Sequence, residues 1–169
     1  GNKMFYLYYS GTVYGIDTNS FEVLSLVSTL KKDELASSES GQFLAYGEKD
    51  EESELSKTVV LRNLKTDKSQ NIFEENRLFK VLGFIEDDLV LGVAMPEEST
   101  EWNGQGEIPL SEIRIIAADS EVKLSYKKEN LYFSNFTIAG NQLRFDEYSH
   151  DENGYHYVGK DSVLSNKET

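Results

Sequence analysis

The chain has 169 residues, of which 38% are hydrophobic, and thirty acidic side chains against seventeen basic ones give a formal charge of −13. That length can bury a substantial core as one domain, while the charge argues against nucleic acid and against docking on anionic lipid, both of which need clustered Lys and Arg. There is no cysteine, so disulfides, thiolate metal sites and cysteine nucleophiles are excluded together, and no apolar run approaches the roughly 20 residues of a membrane helix.

The opening Gly1-Asn2-Lys3 carries no signal segment and abuts a strand, so the chain reads as a fragment of a longer protein. Residues 4–9 are aromatic-rich, as β structure prefers. Ser10-Gly11 turns them into a strand over 12–17, and Thr18-Asn19-Ser20 turns again into 21–27, completing a three-strand meander. Residues 28–40 are polar, with a helical turn over 31–35 as the one local option. A strand over 42–47 follows, then strands over 58–64 and 69–73 joined at Lys65-Thr66-Asp67-Lys68.

The third stretch pairs 79–85 with 89–94 through Glu86-Asp87-Asp88. After a long loop over 96–109 it pairs 112–118 with 121–126 through Asp119-Ser120. Val122, Leu124 and Tyr126 alternate with Glu121, Lys123 and Ser125, as expected of a half-exposed edge, whereas the inner strands are apolar on both faces. A last unit runs over 132–139, turns at Gly140-Asn141, and continues over 142–147 and 155–159, with a short strand expected at 162–165.

Repetition organises these strands. The segment beginning at Thr12 aligns with those beginning at Thr58 and Ser111, at spacings of 46 and 53 residues. Independently, Gly41-Gln42-Phe43-Leu44 aligns with Asp87-Asp88-Leu89-Val90 and with Gly140-Asn141-Gln142-Leu143, again at 46 and 53. Two landmarks that drift by the same steps mark a repeated structural unit.

Ser38-Glu39-Ser40-Gly41-Gln42-Phe43-Leu44-Ala45-Tyr46 resembles the turn and strand of TolB-type and WD-repeat-like β-propeller blades. Residues 58–66 resemble the strand that follows in such a blade, with Asn63 and Asp67 in place of the usual acidic and glycine positions; the Trp-Asp dipeptide of WD repeats is absent. The resemblance implies an all-β, propeller-like fold of antiparallel four-stranded meanders repeated about four times. A β-sandwich or barrel is the alternative from the same hairpins. It also implies a role in interaction, since proteins with such blades include periplasmic and surface scaffolds and non-catalytic domains of peptidases.

Candidate chemistry is sparse. Residues 146–156 hold both histidines and four carboxylates, so His150, Asp151 and His156 are the candidate ligands for Ca²⁺ or a transition metal. The EF-hand register fails, because Ser149 would stand first and Lys160 last; the competing reading is a polar hairpin loop over 151–154. Trp102, flanked by Glu101 and Asn103 in a glycine-rich loop, is the candidate for stacking on a sugar or peptide. No nucleophile elbow, phosphate loop or His-Glu-x-x-His pattern occurs, and the sequon Asn135-Phe136-Thr137 falls in a strand expected to be buried. The expectation is a non-catalytic binding or scaffold module, extracytoplasmic and bacterial, with a protein, peptide or glycan ligand and no cofactor. A carbohydrate-active enzyme fragment using paired acids, or structural support for a partner domain, are the alternatives.

Overall fold

The computed structural model describes residues 4–10, 12–27, 35–49, 55–100 and 108–165. Among them the chain is all-β and antiparallel, with fourteen strands and one short helix. It divides into two compact units, Gly1–Leu35 and Ala36–Thr169.

In the first unit β1 (Met4–Tyr9), β2 (Thr12–Asp17) and β3 (Val23–Val27) form a three-stranded sheet in chain order. Cross-strand partners point to the same side of a sheet. Phe5, Ile16 and Val23 therefore share one face with Leu7 and Tyr14, while Tyr8 and Val13 lie on the other. Val13 is buried; Phe5, Leu7, Tyr9 and Val23 are exposed.

The second unit is built from meanders. The first consists of β4 (Leu35–Ser37), β5 (Phe43–Lys49), β6 (Ser56–Asn63) and β7 (Lys68–Phe73). The next consists of β8 (Leu78–Ile85), β9 (Asp88–Ala94), β10 (Glu112–Ile116) and β11 (Val122–Tyr126). One pairing, Ser56 with Phe79, joins these two meanders into a single eight-stranded sheet. The last meander, β12 (Tyr132–Ala139), β13 (Gln142–Asp151) and β14 (Gly154–Leu164), is a separate three-stranded sheet. All three sheets are open.

The repeated landmarks fall on equivalent strands. Those beginning at residues 12, 58 and 111 lie on β2, β6 and β10, and those at 41, 87 and 140 lead into β5, β9 and β13. This equivalence explains the double-sided apolar pattern of the inner strands. Phe43, Ala45, Val59 and Leu61 pack against Phe79, Leu89, Leu91 and Val93. From the other face of the middle meander, Val90, Ile113 and Ile115 pack against Phe133, Leu143 and Phe145. The middle meander is thus covered on both faces, and its β9 is buried throughout apart from Asp88.

Several details depart from the sequence reading. The helical turn expected over 31–35 lies outside the described residues apart from Leu35, which begins β4. The strands expected at 155–159 and 162–165 are one continuous β14, because Lys160 and Asp161 stay in register with Asp146 and Phe145. The loop after β9 holds a one-turn helix, α1 (Pro96–Thr100). Asn135 is exposed at a bulge of β12, with φ of 56°, where the register shifts between Ser134 and Thr137.

Candidate functional site

The face of the third sheet that carries Tyr148 and Arg144 concentrates the chemistry of the second unit. β13 and β14 pair Tyr148 with Tyr157 and His150 with Tyr155, and β12 pairs Tyr132 with Tyr148. Strand alternation therefore sets Tyr132, Tyr148, His150, Tyr155 and Tyr157 on one face, at the end of the sheet nearest the β13–β14 turn. Their rings interlock edge to face: Tyr132 and Tyr155 have centroids 5.3 Å apart at 90°, and Tyr148 and Tyr157 5.8 Å apart at 70°. His150 lies 4.5 Å from Tyr155 and 6.1 Å from Tyr132. These are the tilted arrangements that ring quadrupoles favour. Tyr157 is 56% exposed and the others are half-buried, so the cluster forms an apolar platform open to solvent.

Further along the same face the side chains turn polar. Arg144 Nε donates to Gln142 Oε1 at 2.9 Å, and Gln142 Nε2 donates to Ser162 Oγ at 2.9 Å. Asn135 Nδ2 donates to Asp146 Oδ2 at 2.9 Å, while Lys160 Nζ sits 3.6 Å from Asp146 Oδ1. Together with Thr137 these groups line a shallow depression of about 530 Å³. The bulge at Asn135 places its amide there by adding one residue to β12 between Ser134 and Thr137. Asn tolerates the positive φ this requires better than most residues.

The opposite face of this sheet meets β11 through a polar knot. The Tyr126 hydroxyl lies 2.8 Å from Asp161 Oδ2 and 3.2 Å from Glu147 Oε1, and Lys128 Nζ lies 3.1 Å from Asp161 Oδ2. Glu147 is 8% exposed, so its charge is held among partners rather than in water. The Ser162 backbone N–H and the Tyr126 hydroxyl bring Asp161 down to about 2, and burial together with those carboxylates pushes Tyr126 up to about 12.

The sequence candidates fare unevenly. Trp102, Asn103 and Glu101 lie outside the described residues. His150, Asp151 and His156 do not converge: His150 belongs to the aromatic face, whereas Asp151 and His156 lie on the reverse one. There His156 Nε2 stands 2.8 Å from Asp151 Oδ1. The His156 bond, followed by the Asn153 N–H, holds the Asp151 carboxyl below the usual carboxylate range. No group of three or more His, Asp or Glu side chains among the described residues is arranged to hold a metal ion. The hairpin reading of residues 151–154 fits the structure, with Gly154 supplying a φ of 107°. The aromatic platform was missed, although Tyr148, His150, Tyr155 and Tyr157 follow the period-2 rule that would have grouped them once the turn at Glu152-Asn153 was placed.

No protein-family model matches this chain. No curated protein matches it either. Among solved structures it is similar to one described as "Crystal Structure of Mitotic Checkpoint Complex", at 13% identity and a TM-score of 0.36. That match covers 96% of this chain and 60% of the other. The chain therefore spans about three-fifths of the length of the protein it matches. At this similarity the match has no bearing on what the chain does.

Among the described residues no helix is long and apolar enough to cross a membrane.

Proposed function

We propose that the chain is a non-catalytic binding module of propeller-type blades, and that it holds a polypeptide partner across the Tyr148–Arg144 face of its third sheet. The observation that carries this reading is the joining of an exposed aromatic platform to a polar depression on one sheet face. Tyr and Arg dominate the energetics of protein interfaces, because each offers a large rigid contact area with a polar end. A shallow, open depression suits a polypeptide surface better than an enclosed small molecule. The acids of this sheet beside the depression are already engaged, Asp146 on its face by Asn135 and Lys160, and Asp161 on the reverse face by Tyr126 and Lys128. That arrangement favours binding over a reaction needing a free pair of carboxylates.

The test is selection from a displayed random-peptide library against the folded chain, followed by titration of an enriched peptide into variants. Tyr157→Ala, Tyr148→Ala and Arg144→Ala should each weaken binding by about tenfold or more, the range of an interface hot spot. Tyr157 is exposed, so its truncation should leave the melting temperature nearly unchanged. Selected peptides that bind all three variants as they bind the parent would refute the site. Failure to enrich any peptide, with glycan-array binding lost in Tyr157→Ala, would replace the polypeptide by a sugar.

A further inference from the structure

The depression beside the aromatic platform holds more hydrogen-bond donors than the chain itself uses. Arg144 sits on the central strand β13, opposite Thr137 of β12 and Ser162 of β14. Its Nε donates to Gln142 Oε1 at 2.9 Å, and Gln142 is in turn held by its 2.9 Å bond to Ser162 Oγ. This relay fixes one edge of the guanidinium and leaves Nη1 and Nη2 without a partner among the described residues. Lys160 Nζ has its 3.6 Å contact with Asp146 on a side chain that is 81% exposed, so N–H donors remain there too. The exposed Thr137 hydroxyl adds another donor at the same place. The one carboxylate on this face, Asp146, is occupied at both oxygens, by the Asn135 amide and by Lys160.

We infer, resting on the reading that this face holds a polypeptide, that the depression takes a carboxylate of the partner, an Asp or Glu side chain, across the Nη1–Nη2 edge of Arg144. A guanidinium held at Nε presents that edge as a two-pronged donor, a geometry that a carboxylate matches with both oxygens and a side-chain amide does not. Charge selects the same ligand. Apart from His150, two bases, Arg144 and Lys160, stand against one acid, Asp146, on the strands of this face, a net charge of +1 in a chain whose formal charge is −13. One carboxylate neutralises that excess, whereas a phosphate dianion would set surplus negative charge against Asp146. The charge on the rest of the chain is screened beyond about 8 Å at physiological salt, so the local balance decides. Spacing carries the inference to sequence. Tyr148 lies four residues from Arg144 on the same face of β13, roughly 13 Å, and an extended peptide covers that span in the same number of residues. The segment recognised therefore carries an apolar or aromatic residue for the platform and an acidic one four positions away.

The test reads the sequences of displayed random peptides that the whole chain enriches. One of them is then synthesised in an acid form and in an amide form, with its Glu or Asp replaced by Gln or Asn, and both are titrated into the parent and two variants. The expected result is an acid four positions from an apolar residue in the enriched peptides, with the amide form binding the parent about tenfold or more weakly. Arg144→Gln should bind the two forms nearly alike, and Arg144→Lys, which keeps the charge but not the fork, should retain only part of the discrimination. Arg144 is exposed, so both variants should melt close to the parent. Peptides that lose affinity in Tyr157→Ala, yet bind the parent equally well in acid and amide forms, would overturn the carboxylate and leave the binding face standing. Discrimination that persists undiminished in Arg144→Gln would overturn it as well, by placing the acid elsewhere. Enrichment of no peptide would remove the polypeptide reading itself, and this inference with it.

Discussion

Tyr126, Lys128, Glu147 and Asp161 show how much single side chains carry that their spacing does not announce. Tyr126 lies 35 residues from Asp161, and only the packing of β11 against the third sheet brings hydroxyl and carboxylate to 2.8 Å. In the sequence Tyr126 reads as the last apolar residue of an edge strand and Asp161 as one acid among thirty. The consequence is a pH dependence at both ends of the scale. Asp161 falls from 3.8 to about 2 on folding, so its contribution is complete above the ordinary carboxylate range and is lost as pH falls from 3.8 through about 2. Tyr126 rises from 10.0 to about 12, so its contribution is complete below pH 10 and is lost as pH rises through about 12. Melting temperatures across pH should therefore fall more steeply for the parent than for Asp161→Asn below pH 4. They should also fall more steeply for the parent than for Tyr126→Phe above pH 10. Parallel curves at either end would show that the corresponding group does not titrate as this geometry requires.

Strands announced themselves where alternation met a tight turn, and disappeared where it did not. The hairpins at Glu86-Asp87 and Gly140-Asn141 lie where apolar runs are broken by polar, turn-forming residues. β4 was invisible because three residues, Leu35-Ala36-Ser37, cannot show a period. β14 was divided in two because Lys160-Asp161 reads as a polar break, although both residues pair with β13. The aromatic face was lost because the strand expected over 142–147 stops short of Tyr148 and His150, which β13 carries on to Asp151. Close approaches are legible only in three dimensions. A methyl group at Gly92 of β9 would overlap Leu110 Cδ1, and Leu110, bridged to Phe133, is fully buried. Gly92→Ala should therefore destabilise the chain by about 1–3 kcal/mol through overpacking. In the Leu110→Ala background the same change should cost clearly less, since the clashing methyl is gone. Denaturant titration of the four-member cycle measures this, and strict additivity would place the strain elsewhere.

The two units meet the demands of size differently. The second stacks three meanders and carries the clusters of buried residues, and its middle meander is covered on both faces. The first has three described strands and an exposed apolar face, the kind of sheet that is marginal without further packing. Amide exchange reads the difference directly. The β2 amides from Tyr14 to Ile16 should exchange faster than the β9 amides from Leu89 to Val93, which lie inside the covered middle meander. Equal protection in β2 and β9 would mean that the first unit opens only when the whole chain unfolds.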